Sequence, residues 1–243
     1  MPDLVAVTFD FWDTLLQAPD AAVVRAIRAE RLLAALSLAG LDVDPSAVLG
    51  ALGEVVKEFN RRWGANEQYT YLDAVEFVVH RIGVTLTPEL HERLVTAFCG
   101  KELPQLPPLA PNVVDTLIYL RAKGIRIGII CDVGLSPSMV LRSHLDRHGI
   151  LDLFDHWSFS DEVGCYKPDP RIFEHAAAGL GVVPEQAAHV GDLRRTDIAG
   201  ARSSGWFAVR YCGIHDDHDE NAGPEGDAVV RDHADLPDVL GLG

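Results

Sequence analysis

A chain of 243 residues, 48% hydrophobic and 23% charged, has the makeup of a soluble globular protein and gives no sign of disorder. Its net charge of −15 argues against binding nucleic-acid backbones or anionic membranes, both of which call for a positive field. A small anionic substrate stays compatible with that charge, because a local lysine and a metal ion outweigh a distant global field.

The first element is the run VAVTFDFWDTLL over Val5 to Leu16. Val5, Val7 and Phe9 alternate as in a buried strand, and Asp10 closes the run where an open α/β sheet places its reactive groups. Asp10 is therefore the candidate nucleophile, against the plainer reading of an acid capping a turn. From Asp20 to Leu38 the apolar residues Val24, Ile27, Leu32 and Leu36 recur at helical spacing, with Asp20 as N-cap. Asp44 or Pro45 opens a second helix to about Trp63, Thr70 caps a third over Tyr71 to Ile82, and a fourth runs from Pro88 to about Cys99. Four helices without an intervening strand predict a separate helical unit.

Leu103 to Pro111, LPQLPPLAP, is too rich in proline for a helix and reads as the return hinge. Asn112 to Lys123 then forms a helix stopped by Gly124. Strands are expected at about Arg126–Cys131, His156–Ser160, Ala187–Val190, Trp206–Val209 and Asp227–Val230, with helices starting near Ser136, Pro170, Asp197 and Leu236. That alternation predicts an α/β fold with a doubly wound parallel sheet. The acidic stretch HDDHDE within Ile214 to Gly226 reads as a solvated loop, since no spacing there imposes a coordination geometry.

Cys99, Cys131, Cys165 and Cys212 lie far apart, with no C-x-x-C pair, so neither a structural zinc nor a disulfide framework is expected. The start MPDLVAVTFD has no basic segment and enters a strand at once. No signal peptide, no membrane span and a cytoplasmic location are the expectations that follow.

Four stretches in order carry chemistry: Asp10 with Thr14, the strand IRIGIICD ending in Cys131 and Asp132, GCYKPDP with Lys167, and HVGDLRRTD with Asp192 and Asp197. In this arrangement the chain, from Leu4 to about Leu240, resembles the haloacid dehalogenase (HAD) superfamily of hydrolases. The resemblance implies a Rossmann-like core of residues 1–15 and 111–243, with residues 16–110 as a helical cap. It implies Asp10 as nucleophile, Lys167 as its electrostatic partner, and Thr14, Cys131 and Asp132 beside the substrate. It further implies Mg²⁺ held by Asp10, Asp192, Asp197 and the backbone carbonyl of Trp12, hard oxygen donors of the kind that cation takes.

Two positions depart from the family pattern. Trp12 stands where HAD phosphatases carry a second Asp that protonates the leaving group, and an indole N–H cannot do this. Cys131 replaces Ser or Thr and donates hydrogen bonds poorly. Asp13 follows one residue too late to substitute for the missing acid, and fits instead as a residue that tolerates unusual backbone angles. The expected function is a Mg²⁺-dependent phosphatase of a small phosphorylated metabolite. The alternatives are a carbon–halogen hydrolase, which shares an aromatic residue at the Trp12 position; a carbon–phosphorus hydrolase using a cap lysine such as Lys57 or Lys101; and a binding module without turnover. Arg61, Arg62 and Trp63 are candidates for specificity in the helical insertion.

Overall fold

The structure is a computed structural model that describes residues 4–100, 105–219, 222–223 and 225–243. In chain order its principal elements are β1 (Ala6–Phe9), α1 (Ala21–Leu38), α2 (Pro45–Gly64), α3 (Tyr71–Ile82), α4 (Pro88–Phe98), α5 (Val113–Ala122), β2 (Arg126–Cys131) and α6 (Ser138–Arg147). They continue with β3 (His156–Phe159), α7 (Ser160–Val163), α8 (Pro170–Leu180), β4 (Ala187–Gly191), α9 (Ala199–Ser203), β5 (Phe207–Tyr211), β6 (Ala228–Val230) and α10 (Leu236–Val239). The chain divides into two compact units, one of Met1–Ala18, Pro107–Asp132 and Leu145–Gly243, the other of Pro19–Leu106 and Val133–His144.

The first unit is built on a six-stranded sheet of order β3-β2-β1-β4-β5-β6 in which every pairing is parallel. The order reverses between β1 and β4, the switch point where α/β sheets open a crevice at the carboxyl ends of their strands. Asp10 extends the β1 ladder by donating its N–H to the Val190 carbonyl at 2.8 Å, so the residue after the strand is held against β4. Buried on both faces, the central strands are near-continuous apolar runs, as parallel sheets require. Beside them Ile172, Phe173 and Ala176 of α8 pack with Ile130, Ile198, Ala201 and Trp206.

The second unit takes its core from one stripe of each of α1 to α4, including Leu32, Leu36, Val48, Val55, Val78 and Leu94. Local chemistry sets where these helices begin. Asp20 accepts from the N–H groups of Ala22 and Val23, and Asp44 from that of Ser46 with Pro45 in the first turn. Thr70 and Asp73 form a reciprocal capping box at the start of α3, which ends on Gly83 in the left-handed region. Half-buried Arg28 donates to the Leu135 carbonyl at 2.7 Å and to Ser136 Oγ at 3.0 Å, which ties the segment after Asp132 into this unit.

Several boundaries differ from the pattern-based expectation. Strand β5 is displaced toward its carboxyl end, because Trp206 turns into the core beside Phe173 instead of joining the ladder. Helix α6 starts at Ser138, two residues after the expected Ser136, since Pro137 closes the preceding turn through its carbonyl to the Val140 N–H. After β4 the chain makes a π turn over Arg194–Ile198 before α9, where a helix starting at Asp197 was expected. Leu103 and Pro104 of the proline-rich hinge lie outside the described residues, as does Lys101. No helix among the described residues is long and apolar enough to cross a membrane.

The capping box gives a direct stability test. Thr70→Ala should cost about 1 kcal/mol in urea denaturation, and Leu36→Ala, which opens a cavity in the helical core, about 2–5 kcal/mol.

Candidate active site

The four chemical stretches converge at the carboxyl end of the sheet. Lys167 arrives from the turn before α8 and is only 2% exposed. Its ammonium group donates to Asp10 Oδ1 at 2.5 Å, Asp197 Oδ1 at 2.6 Å and the Ile130 carbonyl at 3.0 Å, so its three protons have three acceptors. Its backbone N–H is held by Asp132 Oδ1 at 2.8 Å, while Asp169 caps the helix that follows. Asp132, expected to contact substrate, thus anchors the lysine turn.

Asp197 lies in the π turn, and its carboxylate folds back toward β4. Oδ1 receives the Lys167 ammonium and His189 Nε2 at 3.0 Å, and Oδ2 receives the Leu193 N–H at 3.1 Å and the Thr196 hydroxyl at 3.4 Å. Four donors fill the four lone-pair positions of a carboxylate. Asp197, expected as a metal ligand, meets four protein donors in this structure and stands as a counter-charge to Lys167.

Burial decides the electrostatics of the cluster. It pushes the Asp10 carboxyl up to about 7, since the attraction of Lys167 only partly offsets the desolvation and the nearby charge of Asp197 adds to it. Asp192 is raised well above the ordinary carboxylate range by burial and then by the charges of Asp197 and Asp10. Burial works against Asp197 as well, but Lys167 and the His189 contact outweigh it and hold its pKa low. For Lys167 burial favours the neutral amine, and the surrounding carboxylates of Asp10, Asp197 and Asp132 reverse that and keep it charged.

Asp10 and Asp192 are the carboxylates left to meet a cation. The charges of three buried carboxylates against one ammonium leave a surplus of negative charge, and a hard divalent ion suits such oxygen donors. Among the described residues no group of three or more His, Cys, Asp or Glu side chains forms a metal cluster. Two carboxylates fit Mg²⁺ nonetheless, since it commonly takes one or two and completes its shell with water and phosphate oxygens.

Trp12 packs edge-on against Phe11, with ring centroids 4.8 Å apart. Asp13 adopts φ 55°, and its Oδ1 accepts the Ala18 N–H at 2.9 Å, so it shapes the turn. Thr14 is fully buried; its carbonyl accepts from His233 Nε2 at 2.8 Å, and its hydroxyl has no hydrogen-bond partner among the described residues. Cys131 is buried, and desolvation pushes its thiol well above the ordinary value, which rules out a resting thiolate nucleophile.

Two histidines at the site were given no role by the sequence reading. His189 sits inside β4, and the only clue to it is a polar residue in an apolar strand. His215 lies in the acidic loop, and its Nδ1 is 3.0 Å from Asp192 Oδ2. That segment is irregular, as expected, but two of its acids have arginine partners: Asp216 pairs with Arg210 and Arg231, and Asp217 with Arg194. Glu220, Asn221 and Pro224 lie outside the described residues.

Residues 4–205 match the family of haloacid dehalogenase-like hydrolases. A glyceraldehyde 3-phosphate phosphatase of Methanopyrus kandleri is 34% identical over 235 residues, which cover 96% of this chain and 91% of that one. A solved HAD phosphatase from Thermococcus onnurineus matches with a TM-score of 0.64 and 26% identity, over 98% of each chain. A 2-haloacid dehalogenase from Pseudomonas syringae shares the fold, with a TM-score of 0.71 and 24% identity over 98% of each chain. With a family match across most of its length and the Asp10–Lys167–Asp197 cluster at the mouth of its parallel sheet, the chain belongs to the haloacid dehalogenase-like hydrolases.

Proposed function

We propose that this protein is a Mg²⁺-dependent phosphatase that works through an aspartyl-phosphate on Asp10. The observation that carries the reading is the buried ammonium of Lys167 shared between Asp10 and Asp197, with Asp192 left to a cation. The phosphatase names of similar proteins support it, and glyceraldehyde 3-phosphate, named for one of them, is the first metabolite to test. The four-helix unit, which enters the chain between Asp10 and Cys131, is assigned the cap role that selects substrate. The four cysteines are free thiols, in keeping with a reducing cytoplasm.

In the first step an Asp10 oxygen attacks phosphorus, a P–Oδ bond forms and the bond to the leaving oxygen breaks. Two anions must approach for this, and Lys167 supplies the fixed positive charge that makes it tolerable. Bound Mg²⁺, held by Asp10, Asp192 and the Trp12 carbonyl, would neutralise phosphoryl oxygens. In the second step water attacks the phosphorus, the P–Oδ bond breaks and the Asp10 carboxylate is regenerated. No side chain at the Trp12 position protonates the leaving oxygen, so the proton comes from solvent and departing groups of low pKa are favoured.

Asp10→Asn should abolish hydrolysis of para-nitrophenyl phosphate while leaving the protein folded, and EDTA should abolish it in the wild type. Undiminished turnover in either case rejects the mechanism. Release of chloride from 2-chloropropionate without metal would instead favour the dehalogenase reading. Rates should fall by on the order of 10² or more from aryl to alkyl phosphates, the share that general acid catalysis supplies elsewhere.

The raised Asp10 pKa also predicts a pH effect on the metal-free protein. A carboxyl that binds its proton more tightly when folded loses stability as pH rises from its ordinary value near 3.8 toward about 7. In EDTA, Asp10→Asn should therefore melt higher than wild type at pH 8, and the difference should shrink toward pH 4 as Asp10 protonates. Mg²⁺ should raise the melting temperature of the wild type more than that of the variant.

A further inference from the structure

We propose that His189 is a positioning residue for this site: its Nε2–H fixes the Asp197 carboxylate, which in turn fixes the Lys167 ammonium against Asp10. The proposal rests on the phosphatase reading for its effect on turnover, and on the geometry alone for the contact itself.

His189 is completely buried in the middle of β4, where a histidine has no packing advantage over an aliphatic residue. The β1–β4 register pairs it with Thr8, so the two side chains stand on the same face of neighbouring strands. Thr8 Oγ1 lies 2.9 Å from Nδ1, and Asp197 Oδ1 lies 3.0 Å from Nε2. A carboxylate only accepts, so Nε2 carries the proton; in the neutral ring Nδ1 is then an acceptor, and the Thr8 hydroxyl, whose alternative acceptor is the Ala188 carbonyl at a longer 3.4 Å, donates to it at 2.9 Å. Both neighbours thus select one neutral tautomer. Burial opposes a second proton, and Phe173 closes off the ring edge-on at 5.4 Å. Thr8, His189, Asp197, Lys167 and Asp10 form a continuous hydrogen-bonded chain that begins on β1 and ends on the residue just after it.

Gly191, two residues after His189 and on the same face, shows how tightly the carboxylate is seated. A Cβ at Gly191 would lie 2.3 Å from Asp197 Cγ, so the Asp197 carboxyl occupies the space a side chain there would take. Its orientation in that slot is set by its donors, and on Oδ1 the only donor besides Lys167 among the described residues is His189. Without the Nε2–H, Oδ1 is held by the flexible lysine alone, so the carboxylate is less constrained about χ2 and the Lys167 charge shifts with it. Small displacements of a charge beside a nucleophile carry large rate penalties.

The test compares His189→Asn with His189→Gln. The Asn amide reaches the Thr8 side of the imidazole and leaves Asp197 Oδ1 without its β4 donor; the Gln amide extends to where Nε2 was. With para-nitrophenyl phosphate and Mg²⁺, the Asn variant should lose about ten- to a hundredfold in kcat with KM changed less than about twofold, and Gln should restore most of the loss. Full kcat in a folded Asn variant, or equal losses in Asn and Gln, overturns the proposal. Imidazole ¹⁵N shifts of the wild type give a second reading that needs no turnover: His189 should be neutral and protonated on Nε2 between about pH 6 and 8. The opposite tautomer overturns the proposal, also where the Asn variant does not fold. A wild type without phosphatase activity rejects the functional reading, and the ¹⁵N spectrum then decides the contact by itself.

Discussion

The site depends on a single buried cation. An ammonium group taken out of water is costly, and it is retained here because two carboxylates and a backbone carbonyl surround Lys167 at hydrogen-bonding distance. Removing Asp197 would leave the ammonium with Asp10 alone, a carboxyl that burial itself pushes toward the protonated form. The turn that delivers the lysine, the glycine that makes room for Asp197 and the π turn that brings Asp197 back toward the sheet all serve this arrangement.

Its electrostatics are unequal by design of position. Asp197 has four donors and stays ionised; Asp10 has one strong donor and pays a desolvation cost that raises its pKa. Two carboxylates of the same chemical type are thereby separated into one that stays ionised and one that binds its proton more tightly. Asp192 is held at the edge by His215, which reaches it from a loop whose acids are paired with arginines. The strongly negative composition of the chain thus has a local counterpart, a cluster that is itself short of positive charge and suited to a hard cation.

Trp12 changes what such a site does best. The surrounding attack geometry does not depend on that side chain, whereas protonation of the leaving group does. In the proposed phosphatase an aromatic residue there shifts the burden onto the leaving group's own acidity. Asp13 does not fill the gap, because its backbone is in the left-handed region and its carboxylate caps the Ala18 N–H.

Local rules written in the sequence determined much of this protein. Apolar alternation marked β1, helical spacing with Asp20, Asp44 and Thr70 as caps marked the four helices, and Asp10 and Lys167 were identifiable as partners through the family resemblance. These features depend on neighbours in the chain, so they are legible there. The partners of Asp197 were not: only the fold brings Lys167, His189, Leu193 and Thr196 onto its two oxygens. His189 and His215 were equally silent, since their meaning comes from strand register and loop closure across 181 and 23 residues. Spacing along a chain fixes which face a side chain occupies, but a carboxylate's partners are decided by packing in three dimensions, where burial makes each donor count.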